Sequence, residues 1–183
     1  MYGALRPVLY LSMIRYLEIG KIVTTHGVNG EMKLYLSADS PESLFGVKTV
    51  FLDSNGTDGI KVRSCRSQKN MLLLRLHGID TVEQAHALIG RYLWADRDEI
   101  AKEEGTFFVV DLIGLEVVNS LDGSHIGVLN DVITGGVQSL YSVRLENGED
   151  RLVPAVPAFV KKVSPEEGKV WIEPIRGLFD DAD

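Results

Sequence analysis

Apolar and polar positions alternate with a period of two along most of this chain, and only one window carries a convincing helical period. The run from Ile19 to Tyr35 reads as strand, turn, strand. Val, Ile, Thr and Tyr suit a pleated backbone. Gly27, Asn29 and Gly30 supply the turn. After it, Ser40 before Pro41 and Glu42 marks the start of a short helix. Thr49–Leu52 is a strand, 53–56 a turn, and Ile60–Arg66 alternates as a half-exposed strand. Met71–Leu76 reads as a buried strand. Asp80–Gly90 is the helix: Thr81 or Asp80 caps it, Val82, Ala85, Leu88 and Ile89 share a face, and Gly90 ends it. Arg91–Ala95 is a further strand.

The charged stretch 96–105 breaks this rhythm and is expected to join two domains. Short strands follow at regular spacing: Leu115–Val118, Ile126–Leu129, Asp131–Thr134, Leu140–Leu145, Arg151–Pro154 and Lys169–Ile172. Asn147-Gly148 is a hairpin turn, and 157–161 a short turn. Many short strands with one or two short helices predict an all-β protein of two small β-barrel domains: a six-stranded barrel over 15–97, a linker over 98–105, and a second, partly closed barrel over 106–180. Residues 1–14 read as a leader, either disordered or a mis-assigned start with Met13 as the true one. Their apolar core is too short for a signal peptide.

Composition changes this picture at two points. No apolar run approaches the roughly 20 residues needed to span a bilayer, and the single cysteine, Cys65, rules out an internal disulfide and fits a cytoplasmic setting. The net charge of −7 is unevenly spread. Residues 1–100 carry 12 Lys and Arg against 11 Asp and Glu, whereas residues 101–183 carry 7 against 15. An acidic second half is a poor platform for nucleic acid and suits a basic protein partner.

Little in the chain points to catalysis. His26, His77, His86 and His125 are scattered over turns and the polar side of the helix, and Cys65 has no evident partner. One cysteine and four dispersed histidines do not make a metal site, and Asp180, Asp181 and Asp183 read as an acidic tail. Gly27-Val28-Asn29-Gly30 lacks the Lys-Ser/Thr of a phosphate loop, and a strand follows it where such a loop needs a helix. No metal and no cofactor are expected. Lys61 and Arg63, two apart on one strand face, could meet RNA phosphates together with Arg66, Lys69, Lys21 and Lys33. Phe107 and Phe108 follow the linker. As adjacent strand positions they face opposite ways, so at most one lies in a small barrel core and the other is free for a partner.

The opening run, with its Thr25-His26-Gly27-x-x-Gly30-Glu31-x-Lys33, resembles the start of the ribosome maturation factor RimM family. Phe107-Phe108-x-x-Asp111-Leu112-Ile113-Gly114-Leu115-Glu116-Val117, then Gly123, Ile126-Gly127 and Val153-Pro154, resembles that family's PRC-barrel domain. The likeness spans about 13–180. It implies a bacterial cytoplasmic assembly factor, monomeric and non-catalytic, that binds the head of the pre-30S particle and assists 16S rRNA maturation. It implies that the acidic PRC-type domain holds the basic head protein uS-nineteen through Phe107, Phe108, Asp111, Leu112 and Pro154. The barrel, with Lys21, Thr25, His26, Gly27, Asn29, Lys61, Arg63 and Arg66, would lie near RNA. The family's aromatic pair is usually Tyr-Tyr. Here Phe107-Phe108 keeps the stacking surface without the hydroxyls, and Thr24 replaces a usual small residue. Rival readings are an RNA-processing enzyme and a stand-alone PRC-barrel regulatory module.

Overall fold

The computed structural model describes residues 14–37, 40–69, 71–103, 105–134 and 136–174. The expected leader apart from Ile14, the alternative start Met13 and the acidic tail lie outside the described residues. The chain divides into two compact units, with the boundary between Thr106 and Phe107.

The first unit is a closed barrel. Its strands are β1 (Tyr16–His26), β2 (Glu31–Leu36), β3 (Thr49–Phe51), β4 (Gly59–Gln68), β5 (Met71–Leu76) and β6 (Tyr92–Asp96), in the order β1-β2-β5-β4-β3-β6. Pairing of β6 with β1 closes the ring and leaves no free edge. Alternation sets what faces inward. Ile19, Ile22, Met32, Leu34, Leu72, Leu74, Leu76 and Leu93 are all fully buried. Each such side chain contributes about 1.5–3 kcal/mol by leaving water. Bulges interrupt β1 between Ile22 and Thr24 and β4 between Val62 and Ser64.

Ser40 caps the 3-10 turn Pro41–Leu44 as its sequence requires. The helix α1 (Val82–His86) starts on a complete capping box of Thr81 and Gln84, but is shorter than its periodicity predicts. Leu88 and Ile89 bond three residues back, to Ala85 and His86. The Gly90 amide then turns to the Ile22 carbonyl at 2.8 Å. Entry into β6 therefore wins over another helical turn. Residues in the stretch expected to be a linker are tied to this unit. Glu99 accepts from the Lys48 and Thr49 amides at 2.9 and 3.2 Å, the Ala101 amide donates to the Ser43 carbonyl, and Ile100 is buried.

The second unit opens with a four-residue helix, α2 (Val109–Leu112). It continues through β7 (Glu116–Asn119), β8 (His125–Ile133), β9 (Leu140–Leu145), β10 (Asp150–Pro154), β11 (Val160–Ser164) and β12 (Lys169–Ile172). The sheet order is β10-β9-β8-β7-β12-β11, with β12 and β7 parallel. One core of Leu112, Leu115, Val117, Leu129, Tyr141, Val143, Val153, Val170 and Ile172 draws on strands from both halves of the sheet, with Val160 and Val163 of the far edge packed on it. The sheet therefore wraps a single interior. Pro154 ends the edge strand β10, where its missing N–H breaks no inner ladder. Together the two units make an all-β protein with two short helices.

Candidate binding surfaces

The Thr25-His26-Gly27-Val28-Asn29-Gly30 turn joins β1 to β2. Gly27 and Gly30 adopt φ of 65° and 70°, which side chains disfavour. Gly27 stands in open space, whereas a Cβ on Gly30 would lie 2.2 Å from the Ile79 carbonyl oxygen. The second glycine thus lets the hairpin press against the loop before α1. Gly27 and Asn29 are exposed, and Thr25 and His26 are half-buried.

His26 and Glu31 pair across the hairpin base. Arg66 reaches over from β4 and donates to both Glu31 oxygens, Nε at 3.2 Å and Nη2 at 2.8 Å. His26 Nε2 lies 3.9 Å from the same carboxylate. Arg63, at the β4 bulge, is aimed at Asp80 and donates to it at 2.6 Å. Lys61 and Arg63 are both exposed with the half-buried Val62 between them, so they keep the shared outer face, and Asp80 engages Arg63. Lys61 is exposed and paired with Thr49 of β3. Lys21 lies with its ammonium 5.2 Å from the Tyr92 ring centre. The structure thus gathers His26 and Arg66 on Glu31 and places Lys21 on an aromatic ring. The carboxylate at Glu31 and the ring of Tyr92 are absent from the sequence-based site, although the alternation of β2 and β6 marks both as outward positions.

In the second unit the expected partner residues separate. Phe107 and Phe108 are not in a strand; they lead into α2, with Phe108 at its N-cap. Phe107 packs against the core. Asp111 and Leu112, expected to meet a partner, are only 6% and 4% exposed. They face inward because the short helix turns its second half under the sheet. Pro154 is half-buried. Beside them Val109, Val110, Ile113 and Val128 are exposed. Across the outer sheet face, Lys169, Glu116, Val128, Arg144 and Asp150 lie in successive paired positions. Arg144 holds both Asp150 oxygens at 2.9 Å. Burial pushes the Glu116 carboxyl up, but bonds from His125 at 3.2 Å and Lys169 at 3.3 Å outweigh it and hold it below its ordinary value.

Cys65 faces the barrel interior. Burial pushes its thiol up to about 11, and Sγ lies 3.9 Å from the Leu44 carbonyl. A thiolate is the reactive form. Cys65 should therefore react with a disulfide reagent at neutral pH far more slowly than free cysteine, and reach that rate only in denaturant. A rate matching free cysteine in the folded protein would contradict this placement. Among the described residues no group of three or more His, Cys, Asp or Glu is placed to hold a metal ion, and no helix is long and apolar enough to cross a membrane.

Carboxylates also tie down the barrel. The Asp98 amide and the Arg15 guanidinium hold the Asp96 carboxyl below its usual 3.8. A depressed folded value stabilises the native state fully above the unfolded value, and this is lost as pH falls through the folded one. The barrel's melting temperature should stay level above pH 3.8 and then drop, with a shallower drop in Asp96→Asn. Thermal scans across acid pH test this.

The fold defines a two-domain β protein: a closed barrel followed by a wrapped six-stranded sheet. Residues 17–100 match the RimM N-terminal domain and residues 109–178 the RimM PRC barrel domain. A relative named ribosome maturation factor RimM from Ruminiclostridium cellulolyticum is 35% identical over 170 residues, covering 92% of this chain and 100% of that protein. One of the same name from Symbiobacterium thermophilum is 38% identical over 168 residues, covering 90% and 95%. A solved RimM structure from Pseudomonas aeruginosa is 23% identical with a TM-score of 0.42, covering 87% of this chain and 98% of that one. The chain belongs to the RimM family of ribosome maturation factors, which are not enzymes.

Proposed function

We propose that this chain matures the small ribosomal subunit by binding the head of the immature particle, without making or breaking a covalent bond. The PRC-type unit grips the basic head protein uS-nineteen, and the barrel approaches 16S rRNA. The protein works as a monomer in the cytoplasm. It favours one conformation of the head by binding it more tightly than its alternatives, which is all a binding factor needs in order to shift a population. The supporting observation is the charge split: 7 basic against 15 acidic residues in 101–183, beside a barrel half that is close to balanced. Such a field steers a basic protein toward the second unit and phosphate away from it. Phe108 and Pro154, with the exposed valines of α2, give that unit an apolar centre for the contact.

Co-sedimentation with small-subunit precursors and with mature ribosomes tests the reading. The protein is expected in precursor fractions and absent from mature particles, and capture of the head protein from lysate is expected to survive nuclease. Absence from precursor fractions overturns the maturation reading. Capture that disappears with nuclease overturns the protein contact alone.

A further inference from the structure

The outer face of the barrel across β6-β1-β2-β5-β4 carries chemistry that folding does not use. Met32 and Leu34 point inward and are fully buried, so Glu31, Lys33 and Tyr35 point outward. On β1, Lys21 is paired with both Tyr35 of β2 and Tyr92 of β6. This makes a lateral row of tyrosine, lysine, tyrosine. Tyr35 is 62% and Tyr92 42% exposed. Trp94 continues the aromatic edge, its ring centre 6.4 Å from that of Tyr92. The adjacent row runs Thr24, Lys33, Leu73, Arg66. Leu73 is fully buried although it sits on this outer face, flanked by the long side chains of Lys33 and Arg66.

Charge on this face is lopsided. Its outward cations are Lys21, Lys33, Lys61, Arg63, Arg66 and Arg75, and its outward anions are Glu18, Glu31 and Asp96, the last held by Arg15. Glu31 is taken up by Arg66, and Glu18 accepts from the Ser37 hydroxyl at 2.7 Å. Lys33 and Arg75 have no carboxylate partner among the described residues, and Arg75 Nε is buried without a hydrogen bond. Arg63 and Arg66 on the neighbouring strand each hold a carboxylate, so Arg75 is the exception.

We propose that this face is a docking surface for an unstacked, single-stranded stretch of RNA, with bases on Tyr35 and Tyr92 and phosphates on Lys21, Lys33 and Arg75. The inference rests on the maturation reading and names where the RNA lies. Exposed rings interleaved with unpaired cations on a sheet are what sequence-tolerant single-strand binding requires, because every base has a π-face and every linkage a charge. A duplex hides its base faces and would leave the rings unused.

Fluorescence anisotropy with a short, unstructured, fluorescein-labelled RNA tests the face, with a hairpin duplex of equal length as the second probe. Tyr35→Ala and Tyr92→Ala should each weaken single-strand binding about tenfold. Lys33→Ala or Arg75→Ala should lower the salt slope by about 0.7. Should Tyr92→Ala unsettle the barrel, Tyr35→Ala carries the test alone. Wild-type protein that ignores the single strand, duplex bound as tightly as single strand, or full binding by Tyr35→Ala overturns the proposal. Co-sedimentation of the same proteins separates the two readings. Wild type in precursor fractions with no single-strand binding leaves the maturation role standing without this face. The reverse result leaves the face standing without that role.

Discussion

Gly30→Val should unfold the barrel or lower its melting temperature by roughly 15 °C, the shift that about 3 kcal/mol produces in a domain of this size. Two costs combine. A β-branched residue at φ of 70° is strained by about 1–3 kcal/mol. Its Cβ would also sit 2.2 Å from the Ile79 carbonyl oxygen, a backbone atom that cannot swing aside. Relief requires either the β1–β2 hairpin or the loop before α1 to move, and both are anchored. The hairpin is held by six paired positions from Gly20 to His26, and the loop by Gln84, which accepts from the Asp80 and Thr81 amides at 2.8 and 3.1 Å. Gly27→Ala is the control. It carries a similar φ of 65° but meets nothing within 4 Å, so about 1 kcal/mol is expected. The two tryptophans make the reading local. Trp94 lies in β6 of the barrel and Trp171 in β12 of the second unit. With Trp171→Phe as background, Trp94 fluorescence follows the barrel alone. Equal shifts for Gly27→Ala and Gly30→Val would mean that dihedral strain, and not the contact with Ile79, sets the requirement.

This asymmetry shows what local pattern can and cannot carry. Met71–Leu76 and Leu140–Leu145 match their expected strands residue for residue, because a run that alternates or is wholly apolar states its own burial. The Ser40 cap is equally legible, since a capping side chain acts within three residues, whereas the sequence leaves Thr81 and Asp80 open and the capping box with Gln84 selects Thr81. Strand β11 is absent from the expected strands, and only its first two residues, Val160 and Lys161, fall in the expected turn over 157–161. Its pattern is mostly polar, and it is held by β12, whose own inner neighbour β7 is more than fifty residues back. The parallel match of Trp171 with Val118 is likewise a long-range pairing that no local window contains. In α2, four residues are too few to show a helical period, so Asp111 and Leu112 looked available when they are core. The same limit applied to the candidate surfaces. The glycine turn was visible, but the ion pair that joins its base to β4, Glu31 with Arg66, spans 35 positions.

Phe107→Ala should lower the melting temperature of the second unit, whereas Phe108→Ala should act mainly on capture of the head protein. Phe107 packs against the cluster that includes Leu112 and Val153. Removing a half-buried ring there costs about 2 kcal/mol, less than the loss of a fully buried one. Phe108 is half-buried at the N-cap of α2, makes no side-chain cap bond, and belongs to none of the residues packed on that cluster. Its truncation leaves the core volume intact while removing an aromatic surface of the kind that anchors interfaces. The sequence alone treats the two rings as interchangeable. The helix start separates them, because the chain turns into α2 where strand alternation would have sent one ring in and one out. Measured by Trp171 fluorescence with Trp94→Phe as background, Phe107→Ala should shift melting clearly and Phe108→Ala by less than about 1 kcal/mol equivalent. In pull-downs made well below either melting point, Phe108→Ala should lose at least tenfold in capture, and Phe107→Ala should retain most of it. Equal loss of capture at unchanged stability in both would mean that the two rings form one exposed patch, and that Phe107 leaves the core to meet the partner.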